Sequence, residues 1–404
     1  MATVKPLHTE TDPKKRFTCL PETSPHLATI LGFPSRCSTF PALYTKTCTE
    51  IVDLACTIAN FEKVRLHVRP EDIPQAQNLV SKRLSTESDS RKQNLNIDLI
   101  SIATNHCWVR DTGPVYVRDA ENTDQRYAVD FQFCEWGNKI GELLYNSSAD
   151  KQAALAEEAS TDPVDWPIMD AARRQENTLF ARRALQLENA HYPSSSVIRI
   201  QSSVRLEGGG IDMDGDGTFM AAESSVLVPS RNKGLSREEV EAELSRLLGV
   251  TKFIWVPGRE GLDITDCHID AEARFIRPGV VVVCKPHAKC GAVYWDIYRE
   301  IREVLDSATD ARGRKLQVYD IEEPDPDLLK GDIPGEEAEP AASYVNFYFA
   351  NGGLIIPAFG DAAADQKALE TLQKLVPERE VKQVAVNALP RTGGVLHCTT
   401  QQVL

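Results

Sequence analysis

Short apolar runs rich in Val, Ile, Phe and Tyr recur along the chain and predict β-strands, because branched and aromatic side chains fit a pleated, half-buried surface. The predicted strands cover residues 64–68, 96–103, 115–119, 195–200, 253–257, 280–284, 344–357 and 383–388. Between them, apolar residues recur at intervals of three and four, which is typical of helices with one buried face. The predicted helices cover residues 46–62, 71–84, 176–190, 236–249, 294–306 and 365–376. Ser236, with Glu239 three residues later, indicates a capping box. This alternation predicts an α/β fold.

The alternation of strands and helices runs through the whole chain of 404 residues. No long segment rich in Pro, Gly or Ser interrupts it, so we expect one domain over residues 1–404. Residues 1–15 are expected to form a poorly ordered N-terminal extension. Two acidic segments that are also rich in Ala or Pro, 147–165 and 322–340, are predicted to be surface insertions.

The charge balance limits the classes of partner. The chain carries 59 acidic and 45 basic residues, a net charge of −14. The longest basic run is Lys14–Arg16, so nucleic acid is not an expected partner. An acidic surface favours the approach of small cations, although surplus carboxylates also serve solubility. The N-terminus has no apolar signal segment, and apolar runs such as 279–284 are too short to cross a bilayer. We therefore expect a soluble, cytoplasmic protein with no membrane partner.

The ten cysteines include no CxxC pair and show no regular spacing. This pattern differs from those of zinc ribbons and disulfide frameworks. We expect most of the cysteines to be reduced and buried.

Four polar clusters next to predicted strands or turns are candidates for chemistry. They are CWVRDTGPVYVRD at 107–119, LEGGGIDMDGDGT at 206–218, TDCHIDAEARF at 265–275 and GGVLHC at 393–398. Asp111 is either a site carboxylate or the side chain of a tight turn. Glu207 precedes three glycines, which either let the backbone approach a ligand or form a plain loop. His268 and Asp270 lie two residues apart on an extended segment, so they share one face.

Two metal sites are alternatives for these clusters. The spacing of a calcium loop is present at Asp212, Asp214, Asp216, Gly217 and Glu223. Such a loop joins two helices, whereas strands are predicted on both sides here, so DGDG at 214–217 is interpreted as a hairpin turn. A zinc site would instead use His268, Asp270, His397 and Cys398. Structural zinc sites seldom mix ligands in this way, and no metal or cofactor is expected.

A different chemistry makes Cys398 a nucleophile, His268 its acid and base partner, and three carboxylates a cradle for a cation. The carboxylates are those of Asp111, Glu207 and Asp270. One or two carboxylates satisfy an ammonium, whereas a planar guanidinium presents five N–H donors and is matched by several. The guanidinium carbon is a poor electrophile because its charge is delocalised. A thiolate can attack it, and a neutral hydroxyl hardly can.

Taken in order, seven motifs resemble the agmatine deiminase and Porphyromonas-type peptidyl-arginine deiminase family of the guanidine-modifying, or pentein, superfamily. They are WVRDTGP (108–114), EGGGIDMDGDGT (207–218), SRNKGLSREEVEAEL (230–244), IWVPG (254–258), DCHID (266–270), ASYVNFYFANGGLIIPAFGD (342–361) and GGVLHCTTQQ (393–402). The resemblance implies a single-domain pentein α/β-propeller, with five pseudo-symmetric ββαβ-type units around a central channel. The alternation of elements alone does not separate this fold from a doubly wound sheet.

The resemblance also implies a covalent mechanism. Cys398 attacks the guanidinium carbon, and His268 protonates the departing ammonia and then activates the water that hydrolyses the amidino-thioether. Asp111 and Asp270 hold the guanidinium nitrogens, and Glu207 binds the substrate and orients His268. Three carboxylates near a thiol raise its pKa and an arriving guanidinium lowers it, so we expect the thiolate to form mainly once substrate is bound.

The remaining implied positions concern the shape of the channel. Trp108 is expected to form a wall of the channel, and Asn346 to line it. The last strand is expected to close the ring and bring Cys398 to the centre. Gly393 and Gly394 are expected to allow a close approach of backbone and ligand.

The chain departs from the family pattern near the proposed site. The family usually has Gly where Cys267 stands, often Asn at Ala271, and GGGNIHC where this chain has TGGVLHC. The segment LPETSPH at 20–26 lacks the tryptophan typical of agmatine-specific members. These departures concern recognition of the far end of the substrate.

The resemblance implies hydrolysis of agmatine to N-carbamoylputrescine and ammonia, a step of polyamine (putrescine) biosynthesis, so the expected partner is a small cationic guanidinium substrate. The alternatives are deimination of peptidyl-arginine and an inactive guanidinium-binding protein. Homodimers or larger homo-oligomers are expected, because family members commonly assemble in this way.

Overall fold

The computed structural model describes residues 7–39, 41–85, 96–121, 125–137, 171–329 and 340–404. Within these ranges, eighteen strands form five sheets. The strands are β1 (Thr9–Glu10), β2 (Phe17–Thr18), β3 (Ala28–Gly32), β4 (Val64–Val68), β5 (Ile97–Ser101), β6 (Val115–Asp119), β7 (Arg126–Asp130), β8 (Val197–Gln201), β9 (Ile211–Met213), β10 (Thr218–Ala222), β11 (Lys252–Val256), β12 (Ala273–Arg277), β13 (Val280–Lys285), β14 (Gln317–Glu322), β15 (Tyr348–Ala350), β16 (Gly353–Ala358), β17 (Glu380–Ala385) and β18 (Thr400–Val403). The longer helices are α1 (Pro41–Ile58), α2 (Ile73–Ser85), α3 (Ala171–Thr178), α4 (Phe180–His191), α5 (Arg237–Leu248), α6 (Ala292–Ser307) and α7 (Ala362–Leu375). One-turn helices cover Val109–Thr112, Glu223–Val226, Pro229–Asn232 and Ile269–Glu272.

The same succession of strands recurs in the sheets. In the sheet β12-β13-β14, the first two strands are antiparallel, α6 follows, and β14 runs parallel to β13. The sheets β9-β10-β11 and β15-β16-β17 have the same succession around α5 and α7. Strands β6, β7 and β8 repeat it within the five-stranded sheet β1-β8-β7-β6-β2. A helix separates each parallel pair because parallel strands need a long crossover connection.

The fifth sheet joins the two ends of the described chain. Its order is β18-β3-β4-β5, and β18 lies antiparallel to β3, with Thr400 opposite Leu31 and Val403 opposite Ala28. Strands β3 and β4 run parallel and are connected through α1. All four residues of β18 are buried. This pairing carries the polypeptide just before β18 into the interior of the protein.

The helices pack their apolar faces on the sheets. Helix α5 is preceded by its N-cap residue, Ser236, whose hydroxyl accepts a hydrogen bond from the Glu239 N–H, while the Glu239 carboxylate accepts one from the Ser236 N–H. The predicted capping box is therefore confirmed, and α5 ends at Gly249 with a φ of 73°. Buried residues of α5 join those of β10 in one apolar core, and residues of α1, β3, β4, β15 and β16 form a larger one.

The predicted α/β alternation is confirmed, and the predicted strands 64–68 and 115–119 have the observed bounds. The predicted strand 344–357 is instead the hairpin β15-β16, with Gly352 at a φ of 75° in its turn. The apolar pattern does not predict β3, β7, β12, β14 and β18. In β12, charged residues interrupt the apolar pattern. Arg274 of this strand is nevertheless buried, and its Nε donates to Asp212 Oδ1 at 3.2 Å.

The expected extension and insertions are only partly described. Within the expected N-terminal extension, Thr9–Glu10 pair with β8 in a parallel arrangement. Segment 147–165 lies outside the described residues. Segment 322–340 begins at the end of β14 and includes a 3₁₀ turn at Pro326–Leu328, and residues 330–339 lie outside the described ranges. Of the helices in those ranges, none is long and apolar enough to cross a membrane.

Candidate active site

Cys398 lies in a 3₁₀ turn, His397–Thr399, directly before β18. Its Sγ is 3.6 Å from Asp270 Oδ2 and 3.3 Å from Asn346 Nδ2, and the side chain is only partly accessible. Burial, followed by the negative charges of Asp270 and Asp111, raises the pKa of the Cys398 thiol well above its ordinary value. The direction agrees with the expectation from the carboxylates, and burial is the larger cause.

The two glycines before Cys398 serve different purposes. Gly393 has a φ of 106°, a conformation that side chains rarely adopt. A Cβ on Gly394 would lie 2.8 Å from Cζ3 of Trp108 and 3.2 Å from the Cys398 Sγ. The Gly394 backbone therefore lies directly against both side chains, and any larger residue would push them apart. Trp108 is thus placed beside the cysteine.

Asn346 connects the cysteine to its neighbours. Its Oδ1 accepts a hydrogen bond from the His397 N–H at 2.9 Å, and its Nδ2 donates to the Asp270 carbonyl at 3.2 Å. The same Nδ2 lies within reach of Cys398 Sγ, and this hydrogen bond lowers the pKa of the thiol, opposing the burial effect. Asn346 therefore holds the turn that carries the cysteine against the segment that carries Asp270.

His268 follows two residues in an unusual backbone conformation. Asp266 and Cys267 both have a φ of 65°, which costs a non-glycine residue of order 1–3 kcal/mol. The glycine that the family pattern usually has at position 267 would relieve one of them. The His268 N–H donates to the Thr265 hydroxyl at 3.1 Å, which fixes the residue at the end of this loop.

The His268 ring lies between two carboxylates. Its Nε2 is 3.3 Å from Glu207 Oε2, and its Nδ1 is 3.6 Å from Asp111 Oδ1. Burial alone lowers the pKa of His268, but the charge of Asp111 and the hydrogen bond and charge of Glu207 raise it to about 9. The ring therefore carries a proton at neutral pH.

Glu207 is held by an arginine behind it. Its Oε2 accepts from Arg231 Nε at 2.8 Å, and both side chains are almost fully buried. Burial raises the pKa of Glu207, but Arg231 and His268 lower it below its ordinary value overall. Its other oxygen, Oε1, is buried and has no hydrogen-bond partner among the described residues.

Asp111 lies in the one-turn helix Val109–Thr112 and accepts hydrogen bonds from two neutral donors. Trp136 Nε1 donates to its Oδ2 at 2.8 Å, and the Gly209 N–H donates to its Oδ1 at 3.1 Å. Burial and the neighbouring carboxylates outweigh the charge of His268 and raise the pKa of Asp111 above its ordinary value. Of the three site carboxylates, Asp111 is the one whose pKa is raised.

Asp270 has a different partner. His397 Nδ1 donates to its Oδ2 at 2.7 Å. Burial raises the pKa of Asp270, but this hydrogen bond and the nearby positive charges lower it below its ordinary value. Its Oδ1 is buried and, like Glu207 Oε1, has no hydrogen-bond partner in the described part of the chain.

Gly209 marks the space where these groups converge. A Cβ there would lie 2.8 Å from Asp111 Oδ1, 2.8 Å from His268 Nδ1 and 3.0 Å from Asp270 Oδ2. Only a residue without a side chain fits, because all three atoms border the same small volume. The structure thus brings the three carboxylates, His268, Cys398, Asn346 and Trp108 to one buried site.

The candidate metal positions have other partners. DGDG forms the predicted hairpin turn between β9 and β10, in which Asp214 accepts from the N–H groups of Asp216 and Thr218 at 2.8 Å. Asp212 pairs with Arg274. Over the described ranges, no group of three or more His, Cys, Asp or Glu side chains is placed to hold a metal ion.

Comparison with known proteins identifies the family of the chain. The model of the Porphyromonas-type peptidyl-arginine deiminase family matches residues 18–403. The chain belongs to this family. The match covers every residue of the site, from Trp108 to Cys398.

Individual proteins are similar to this chain over almost their full length. A protein of Selenomonas ruminantium described as a putative agmatine deiminase is 32% identical, covering 95% of this chain and 94% of that protein. The agmatine deiminase of Medicago truncatula is 29% identical, covering 98% and 99%. The solved structure of the agmatine deiminase of Enterococcus faecalis has a TM-score of 0.77 at 23% identity, covering 98% and 99%, so it shares the mixed α/β fold.

Four further residues hold the site, and the sequence analysis does not identify any of them as such. They are Glu22, Trp136, Arg231 and His397. His397 appears there only as a potential zinc ligand. Arg231 lies in the motif SRNKGLSREEVEAEL and Glu22 in the segment LPETSPH, so their motifs are visible although their roles are not. The site binds through charged side chains, so a further charged residue inside one of these segments is a candidate for holding them in place. That signal could have identified Arg231 and Glu22.

Proposed function

We propose that this chain hydrolyses agmatine to N-carbamoylputrescine and ammonia through a covalent bond between Cys398 and the guanidinium carbon. The observation that carries the proposal is the pair of buried oxygens without a partner among the described residues, Glu207 Oε1 and Asp270 Oδ1. Buried carboxylate oxygens are stable only when paired, and a planar guanidinium offers several N–H donors at once. Similarity to agmatine deiminases over nearly the whole chain supports agmatine as the substrate.

In the first half of the reaction, the Cys398 thiol releases its proton to solvent as the guanidinium binds, and the thiolate then attacks the guanidinium carbon and forms a tetrahedral adduct. His268, which is protonated below its pKa of about 9, donates its proton to the amino group that leaves as ammonia. The amidino-thioether that remains is still a cation, and Asp111 and Asp270 neutralise it.

In the second half, neutral His268 takes a proton from a water molecule, and the hydroxide adds to the same carbon. Collapse of this adduct breaks the C–S bond. The hydroxyl proton of the adduct passes to the sulfur, so the substituted urea leaves and the thiol of Cys398 is restored. The proton on His268 returns it to its starting state. The net change converts the guanidinium and one water into the substituted urea, one ammonia and the proton that the thiol released at the start, and the ammonia and this proton together make ammonium.

The raised pKa of the Cys398 thiol supports substrate-assisted formation of the thiolate. A guanidinium between Asp270 and the sulfur offsets the negative charges that raise the pKa. The ultraviolet absorbance of the thiolate, titrated with and without a guanidinium ligand, tests this step. We expect a lower thiol pKa with the ligand. A free-enzyme pKa already well below neutral is the contrary result.

We also propose that the five sheets are five pseudo-symmetric ββαβ-type units around a central channel, within a single domain, with Cys398 near the axis. The recurring order of antiparallel pair, helix and parallel strand supports this arrangement. So does the pairing of β18 with β3, which joins the last described strand to a strand near the beginning. Assembly as a homodimer and location in the cytoplasm remain predictions from the sequence.

Ammonia release tests the proposed reaction. The purified protein is assayed with agmatine, free arginine and a peptide that ends in arginine, beside Cys398→Ser. We expect agmatine to be turned over best, and the variant to lose at least ~10²-fold in kcat, because removal of a nucleophile abolishes the covalent route. Preference for the peptide would assign the protein to peptidyl-arginine deimination. Release of ammonia from none of the three would leave a guanidinium-binding protein without this activity.

A further inference from the structure

Glu22, in the N-terminal segment LPETSPH, reaches the site through a histidine. Its Oε2 is 2.8 Å from His397 Nε2, while Nδ1 of the same ring is 2.7 Å from Asp270 Oδ2. The three side chains are between 1% and 9% exposed. Each carboxylate accepts a hydrogen bond from one ring nitrogen, so the ring has no freedom to turn.

Glu22 is itself firmly held. Its Oε2 accepts from Arg110 Nη2 at 3.1 Å and lies 3.3 Å from Arg274 Nη2, and its Oε1 accepts from the Phe349 N–H at 2.8 Å. Burial raises the pKa of Glu22, but the charges of the two arginines and of His397 lower it well below its ordinary value. The carboxylate is therefore ionised and fixed on several sides.

We propose that Glu22 and His397 form a positioning pair, which sets the orientation of the Asp270 carboxylate toward the reacting guanidinium. The inference rests on the proposed function, because it assigns this pair a place in that reaction. Neither residue is proposed to touch the substrate.

The reason lies in the two oxygens of Asp270. With Oδ2 bound by His397, Oδ1 is left as the oxygen without a partner among the described residues. Without the histidine, the carboxylate is free to rotate about its side-chain bonds and to turn that oxygen elsewhere. A misplacement of about 1 Å at a reacting centre can cost about 10²-fold in rate.

Substitutions of His397 test the pair. His397→Phe keeps the ring and removes both hydrogen bonds, and we expect kcat/KM for agmatine to fall about 10²-fold, mostly in kcat. His397→Asn keeps an amide N–H near the position of Nδ1, and we expect it to recover activity to within ~10-fold of wild type. His67→Phe is the matched control, because His67 is an equally buried histidine of β4 that packs against Phe180. It should change thermal stability and leave kcat/KM unchanged.

A double-mutant cycle tests whether the two residues act together. Glu22→Gln alone should lower kcat, as His397→Phe does. The double variant should lose no more kcat than His397→Phe alone. If the fold losses in kcat of the two single variants multiply in the double variant, the residues act independently, and the proposed positioning pair is overturned. A His397→Phe variant with the kcat/KM of wild type would also overturn it.

A structural readout separates this inference from the proposed function. Crystal structures of unliganded wild type and His397→Phe show whether the Asp270 carboxylate has rotated. If wild type does not act on agmatine, the proposed reaction fails, while a rotated Asp270 still supports the positioning pair. An unmoved Asp270 overturns the pair even if wild type is an active agmatine deiminase.

Discussion

Asp111 and Asp270 both border the space beside Gly209, within about 3 Å of the position where a side chain would begin there. Both are almost fully buried. Asp111 accepts from neutral donors, Trp136 and the Gly209 N–H, and its pKa is raised. Asp270 accepts from His397, and its pKa is lowered.

The difference shows that burial does not by itself decide the charge of a carboxylate. Desolvation acts on both aspartates in the same direction, and the charge of the partners decides the outcome. We interpret Asp270 as the aspartate whose charged form is favoured by its partners, and Asp111 as the one whose charged form is favoured less.

The largest expected effect comes from neutralising each aspartate in turn. Asp270→Asn should lower kcat/KM for agmatine about 10³-fold, because it removes a permanent charge and the partner of His397. Asp111→Asn should cost about 10²-fold, because Asp111 is the aspartate whose charged form its surroundings favour less. Ammonia release per folded molecule, with folding checked by circular dichroism, measures both. Equal losses would remove the distinction between the two aspartates.

The charge of His268 predicts a pH dependence of stability. Its pKa rises from 6.5 to about 9 on folding, so its contribution is fully present below about pH 6.5 and is lost as the pH rises through about 9. The free energy of unfolding in urea should fall by an amount on the order of 3 kcal/mol across that window. Asp111→Asn should narrow the pH range over which this stability is lost more than Asp270→Asn does, because Asp111 is the largest cause that raises the pKa of His268. A variant without the imidazole, His268→Asn, should lack the transition, and an unchanged transition there would contradict the assignment.

Two neighbouring glycines test the space between the aspartates. Gly209→Ala would place a methyl group within 2.8–3.0 Å of Asp111, His268 and Asp270, and should reduce kcat/KM about 10²-fold. Gly210→Ala is its control, because the nearest atom to an added Cβ there, on His268, is 3.4 Å away. The control should keep activity within a few-fold of wild type. Similar losses in both variants would mean that the loop, and not this space, is sensitive.

The smallest effect should come from the neutral donor to Asp111. Trp136→Phe removes the indole N–H and leaves one buried oxygen of Asp111 without its partner, and we expect kcat/KM to fall about 10-fold. Trp255→Phe removes a comparable bond, from Nε1 to Glu241 at 2.7 Å, on strand β11. The same assay should give wild-type activity for that variant. A loss for Trp136→Phe as large as that for His397→Phe would mean that both aspartates depend equally on their donors.

Much of the local structure could be predicted from the sequence. Helix α5 and its capping box follow from Ser236, Glu239 and the apolar spacing after them, because those interactions lie within one turn. The hairpin at DGDG follows from turn residues between two strands. The unpredicted strand β12 contains Arg274, and the pairing that makes this arginine a buried residue is with Asp212, which is distant in sequence.

The sequence by itself determined the alternation of strands and helices, the family motifs and the chemical groups of the site, because periodicity and residue type act over short stretches of chain. Only the tertiary structure decided which carboxylate oxygens are left without a partner in the described part of the chain, and that the pKa values of Asp111 and Asp270 move apart. It also decided that Glu22 is connected to Asp270 through His397. The physical reason is that charge interactions and desolvation depend on distances through space, and the fold sets those distances between residues that the chain keeps far apart.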